Sequence, residues 1–236
     1  MDLKYLVFTQ IGFVLLSLIF VGLFIWEIFN GIGQSAWDEQ KKKSVKTRIL
    51  IGLALWLVAV SIMSITGFLG DFSTLPPRMM IVLVIPLAIS LVMTFSGKAK
   101  EILSRIPPHR LIRLQVFRLF VEVLLWMLFV DNLFPVQMTF EGRNFDIIAG
   151  ITGPLVAFLF RNNRRLMIAW NFVGLALLFN ILTIAILSMP LPFRIFFNDP
   201  ANIIVAEFPI VFLPAFLVPL AYTIHFFSLR QLTIKN

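Results

Sequence analysis

The sequence predicts an all-α integral membrane protein, a seven-transmembrane-helix bundle with its N-terminus outside and its C-terminus cytoplasmic. Three observations predict it. The chain has 236 residues, of which 59% are hydrophobic, including 26 Phe, with a mean hydropathy of +0.95; a soluble domain holds about 45–50% apolar residues. The excess is gathered into long runs able, or nearly able, to cross a hydrocarbon core of about 30 Å. The basic residues fall in the gaps between those runs and favour alternate gaps, as topology determinants do.

In order, the runs cover about 5–29, 48–69, 79–97, 111–134, 145–160, 166–188 and 208–230, within one domain over 1–236. Each is expected to be helical, because a segment alone in lipid must satisfy its own backbone. The first is longer than the roughly 7–15 residues of a signal-peptide core, and no small-residue cleavage site follows it. It therefore reads as a span. The fifth is the shortest.

Charge sets the orientation. One set of gaps and the tail hold Lys41, Lys42, Lys43, Lys46 and Arg48, then Lys98, Lys100, Arg105, Arg110 and Arg113, then Arg161, Arg164 and Arg165, and finally Arg230 and Lys235, which is 15 of the 20 basic residues. The alternate gaps hold only Arg78, Arg143 and Arg194, beside Asp71, Asp131, Glu141, Asp146, Asp199 and Glu207. By the positive-inside rule the first set is cytosolic. This placement of the net charge of +8 argues for a lipid bilayer as partner and against nucleic acid. Cysteine is absent, which removes disulfides, thiolate catalysis and Cys-ligated metals. No metal or cofactor motif is present. Compactness and short loops point to a bacterial cytoplasmic (inner) membrane.

Span 2 reads Ile51-Gly52-Leu53-Ala54-Leu55 and span 6 reads Val173-Gly174-Leu175-Ala176-Leu177. Span 3 has Pro86-Leu87-Ala88 and span 7 has Pro219-Leu220-Ala221. Both matches pair a span with the one four later, which runs the same way. Three helices, a linker helix and three parallel helices resemble the arrangement of the SWEET-type sugar transporters. The resemblance is one of topology: spans 1 and 5 do not match, and no Pro-Gln dipeptide occurs.

The fourth run hides an acid and a base. Gln115, Arg118 and Glu122 are spaced to share one helical face. Arg118 lies about 10 Å in from Leu111 and Glu122 about 16 Å. An ionisable group at mid-bilayer costs roughly 2.5–3.5 kcal/mol on insertion scales, so it needs a partner, a cavity or a function. An Arg118–Glu122 pair holding helices together meets that need. So does a substrate- or proton-binding site. Arg113 is off this face and is expected to snorkel to the headgroups.

Other spans add candidates. Asn171 and Asn180 are nine residues apart and face opposite ways, so one of them can join the span 4 cluster. Gly150, Gly153 and Ala157 form a small-residue stripe that permits close helix packing. Asn144 is a candidate N-cap for span 5, with Asp146 in its first turn where the helix dipole favours an anion. Pro214 and Pro219 each free a carbonyl and should bend span 7, a gating element. His225 lies toward the cytosolic end, as an interhelical histidine or a proton relay. Segment 189–207 is an interfacial loop or a lid over a cavity.

The function these features point to is a small-solute or ion transporter; in its proton-coupled form Glu122 carries the proton and Arg118 is its charge partner. The alternatives are an accessory or assembly subunit held by a membrane protein partner, and an intramembrane enzyme acting on lipid through Glu122, Arg118, His225 and Asp131.

Overall fold

The computed structural model describes residues 3–234; Lys235, counted in the cytosolic tail, lies outside them. The described chain is helical and contains no strand. Four helices are long and apolar enough to cross a membrane: α1 (Leu6–Gly33), α2 (Glu39–Ile65), α8 (Arg164–Leu187) and the run Leu213–Thr233, which ends in α9 (Val218–Thr233). A fifth is added if α3 (Met80–Phe95) and α4 (Gly97–Leu103), bent by 77° at Ser96, count as one. Between them lie α5 (Pro108–Leu114), α6 (Phe117–Val130) and α7 (Asp146–Leu159). These helices make the chain a membrane protein whose apolar faces suit contact with a lipid bilayer.

Local chemistry sets the helix starts. Asp38 caps α2 by accepting from the Lys41 N–H at 2.8 Å, and Asn163 caps α8 by accepting from Leu166 N–H at 3.0 Å; each side chain satisfies a donor that the first turn leaves free. Asp131 does the same at long range. Its two oxygens accept from the Lys4 and Tyr5 N–H groups at 3.1 and 2.7 Å, tying the start of α1 to the end of α6. In the loop before α3, Asp71 accepts from the Ser73 hydroxyl and N–H and pairs with Arg78 at 2.9 Å. Those hydrogen bonds, with the guanidinium beyond them, hold its carboxyl below the ordinary carboxylate range.

Beyond the bend at Ser96, two expected spans differ from what is observed, the fourth and the seventh. The fourth is broken: α5 ends at Leu114 and α6 begins at Phe117, with Gln115 and Val116 in a turn. Gln115 lies in that turn and, like Arg118, reaches α9. The seventh begins with a five-residue π turn, Leu213–Leu217, rather than at 208. The fifth, α7, has 14 residues and reaches about 21 Å.

The start of α7 lies inside the bundle. Asp146 pairs with Arg118 on α6, and a Cβ on Gly150 would collide with the Leu119 backbone. Arg118 is about 18 Å from the α6 end at Val130. The chain between the helices thus returns to mid-bundle before α7 begins. Irregular backbone is tolerated at such depth only where protein satisfies it. Here Gln137 O accepts from Arg143 N–H at 3.2 Å, Thr139 O from Asn144 N–H at 3.2 Å and Arg143 O from Asn180 Nδ2 at 2.9 Å.

The packed centre is formed by α5, α6, α7, α8 and α9, with α1 and α3 against it. Along α2 only Val60 and Ser64 are buried. It is held by two side-chain hydrogen bonds, Trp56 Nε1 to Ala215 O at 3.2 Å and Ser64 Oγ to Ala206 O at 2.7 Å.

Candidate functional site

Four helices bring polar side chains together at mid-bundle: Arg118 and Glu122 from α6, Asp146 from α7, Asn171 from α8, and His225 and Ser228 from α9. Arg118 is 1% exposed, Glu122 2% and His225 0%. The Arg118 guanidinium grips Asp146 with two nitrogens, Nε donating to Oδ2 at 2.6 Å and Nη2 donating to Oδ1. This fork on carboxylate is the strong, orienting geometry for the pair. The pairing corrects the expected one with Glu122. Because α7 starts at the level of Arg118, Asp146 can offer both oxygens to the fork, whereas Glu122 lies one turn further along α6.

The remaining guanidinium donors fix a histidine tautomer. Arg118 Nη1 lies 3.0 Å from His225 Nε2. A guanidinium has donors and no acceptor, so Nε2 accepts and Nδ1 carries the ring proton. Nδ1 then donates to Asn171 Oδ1 at 2.9 Å, and Asn171 Nδ2 donates to Met167 O at 2.8 Å and Ser228 Oγ at 3.0 Å. Trp170 covers the imidazole at 5.3 Å between centroids. Gly174 makes room: its carbonyl accepts from Arg118 Nη2 at 3.3 Å, and a Cβ there would stand 2.6 Å from His225 Nε2 and 3.4 Å from Arg118 Nη1.

Glu122 is arranged differently. Its Oε1 accepts from Asn144 Nδ2 at 2.6 Å, and its buried Oε2 has no hydrogen-bond donor. Asn144 Oδ1 also accepts from Asp146 N–H at 3.0 Å, one residue ahead of the N-cap, which is Phe145 rather than the expected Asn144. Glu122 and Asp146 line a cavity of about 90 Å³ whose other walls are aliphatic, proline and methionine side chains from α3, α6, α8, the π turn and nearby loops, including Leu83, Leu125, Met138 and Leu178. Val205, from the loop before the last span, is part of that wall.

The other expected residues fall as follows. Gln115 donates through Nε2 to Ala221 O at 3.0 Å, one turn before His225, and its Oε1 has no partner. Asn171 joins the Arg118 network through His225; Asn180 does not, being half-buried and bonded to the Arg143 carbonyl. Pro214 lies in the π turn and on the cavity wall. Pro219 has no N–H for the Ala215 carbonyl four residues back, and the Trp56 indole of α2 donates to that oxygen instead. Asp131 is committed to the start of α1 and stands apart from the network. Among the described residues no group of three or more His, Asp or Glu side chains gathers as a metal site requires.

Another buried acid escaped the sequence reading. Glu27 on α1 is 1% exposed; its Oε1 accepts from Arg113 Nη2 at 2.9 Å, and Arg110 Nη1 stands 3.5 Å from Oε2, an ionic contact beyond hydrogen-bond geometry. Arg113 is thus committed to Glu27 rather than to headgroups alone. The signal was available, since Glu27 also interrupts an apolar run.

Fold and site together define a helical membrane protein with a buried ion-pair network beside a small cavity. A family model described as "Domain of unknown function (DUF8737)" matches residues 76–233, and the chain belongs to that family. The matched stretch runs from the approach to α3 through α9 and contains every member of the Arg118 network and Glu122; α1 and α2 lie before it. No curated protein and no solved structure matches the chain.

Proposed function

We propose that this protein is a small-solute or ion carrier of a bacterial cytoplasmic membrane, with Glu122 as the group that takes up and releases a proton. One observation carries the reading. Arg118 is committed to Asp146, while Glu122, in the cavity wall, keeps one carboxyl oxygen without a donor. A membrane-buried carboxyl group with a vacant acceptor beside a cavity suits proton exchange linked to a guest. A short helix starting inside the bundle is also a common element of carrier sites.

The remaining residues take supporting roles. Arg118, Asn171 and His225 hold the Asp146 end of the site. Gln115 ties the α5–α6 break to α9. Pro214 and Pro219 form the moving element, because the Ala215 carbonyl is held by one indole hydrogen bond from α2 rather than by its own helix. The same reading takes a single domain with seven crossings, N-terminus out and C-terminus in. Its support is the alternation of basic gaps, with α3–α4 a bent crossing, α5–α6 a broken one and α7 a short one.

The test uses proteoliposomes loaded with a pH dye and exposed to a panel of small solutes. At least one solute should move protons faster than in empty vesicles, and Glu122→Gln should abolish that movement with the fold retained by circular dichroism and gel filtration. If the folded variant moves protons as the wild type does, the reading fails.

A second reading, an accessory subunit of a membrane complex, draws on α2, whose apolar length is almost unpacked within the chain. It requires a partner that co-purifies at fixed stoichiometry and loses contact when α2 is altered.

A further inference from the structure

The cavity beside Glu122 specifies the chemistry of its guest. Charge comes first. The Arg118 cation is met by Asp146, and His225 Nε2 accepts from the same guanidinium. The uncompensated group at the wall is therefore the Glu122 carboxyl, which disfavours an anion and favours a cation. Hydrogen bonding comes second. Glu122 Oε2 is an acceptor buried without a donor, a costly state that a guest carrying N–H relieves.

The rest of the wall comes third. Apart from the two acids it is aliphatic, proline and thioether. A bare inorganic cation would exchange its water for methyl groups there, at a high desolvation cost. An alkyl chain loses nothing by the same move. Size closes the description: an apolar cavity of about 150 Å³ takes benzene, so about 90 Å³ takes roughly four heavy atoms.

We propose that this cavity binds a small primary or secondary aliphatic ammonium ion. Its N–H group donates to Glu122 Oε2, and its alkyl part lies among Leu83, Leu125, Met138 and Leu178. The assignment names the substrate class of the carrier reading and rests on that reading for its role in transport. Guest and proton compete for the same oxygen, so uptake of one releases the other. That is the logic of an exchanger.

The experiment titrates the full-length protein in phospholipid nanodiscs with n-propylammonium chloride, propan-1-ol and sodium propionate at constant ionic strength, reading heat or tryptophan fluorescence. Saturable binding of propylammonium is expected, with at least tenfold weaker binding of propanol and none of propionate. Glu122→Gln should weaken propylammonium binding at least tenfold. Leu125→Phe, which fills the cavity and leaves the carboxyl in place, should do the same, and it carries the test if the first variant does not fold.

Propionate or propanol binding as tightly as propylammonium overturns the assignment. So does wild-type affinity in either folded variant, or the absence of saturable binding to the wild type. The two readings fail separately. Propylammonium binding without flux in proteoliposomes sinks the carrier and keeps the guest. Proton-linked flux of another solute without propylammonium binding sinks the guest and keeps the carrier.

Discussion

Asp146 balances the charge at the centre of this protein, and its removal is the sharpest test at the scale of one residue. Asp146→Ala leaves a guanidinium buried at 1% exposure without a counter-ion. Breaking one side of a buried pair costs about 3–5 kcal/mol, so the variant should show a loss of that order in SDS-induced unfolding from mixed micelles. Removing both charges, as Arg118→Met with Asp146→Leu, should recover most of the loss, because the penalty belongs to the orphaned charge. Arg118 and Glu122 were legible in the sequence, since an ionisable residue deep in an apolar run is expensive wherever it points. Their partners were not. Asp146 sits at the edge of a short run and reads as a first-turn anion, which it also is; its pairing depends on how far the preceding loop returns into the bundle, and no spacing rule encodes that depth. His225 and Asn171 were legible as polar residues in apolar helices, while the path from Arg118 to Ser228 through them required coordinates.

Among the elements, α7 is positioned by its glycines. Gly150 lies so close to α6 that a Cβ would meet the Leu119 backbone, and a Cβ on Gly153 would stand 3.2 Å from the Ile112 carbonyl oxygen. The small-residue stripe read from the sequence therefore corresponds to a real close approach. Gly150→Val should push α7 off α6 and cost about 1–3 kcal/mol as overpacking, measured by the same SDS titration. Displacement of Asp146 with it should also raise the susceptibility of the centre to hydrogen exchange. Long helices were the most legible elements, because hydropathy and the positive gaps mark them independently. The break at Gln115–Val116 was not, since neither residue is a helix breaker and the turn is held by tertiary contacts, including the Gln115 bond to Ala221. The disturbance before α9 was half legible: Pro214 and Pro219 announce it, but the π turn and the Trp56 indole that meets the freed carbonyl depend on a helix distant in sequence.

For the whole molecule, the absence of cysteine makes topology directly measurable. Single substitutions Lys43→Cys and Asn162→Cys should react with an impermeant maleimide only when the cytosolic side is opened, and Ser73→Cys and Asn198→Cys should react in intact cells treated from outside. Labelling of Asn162→Cys from outside would remove α7 as a crossing and invert everything after it. The division of the chain points the same way at larger scale. The matched family region holds the packed centre, whereas α2 touches the rest at a few points and exposes most of its length.

The brevity of α7 bears on how the protein is made. An autonomous span needs about 20 apolar residues, and this helix has 14, beginning with an aspartate. It offers the insertion machinery too little oil-soluble length to leave the translocon unaided. On the seven-crossing reading, α7 is therefore expected to enter paired with α8 as a hairpin, and Arg118 meets its counter-ion only once Asp146 is in place.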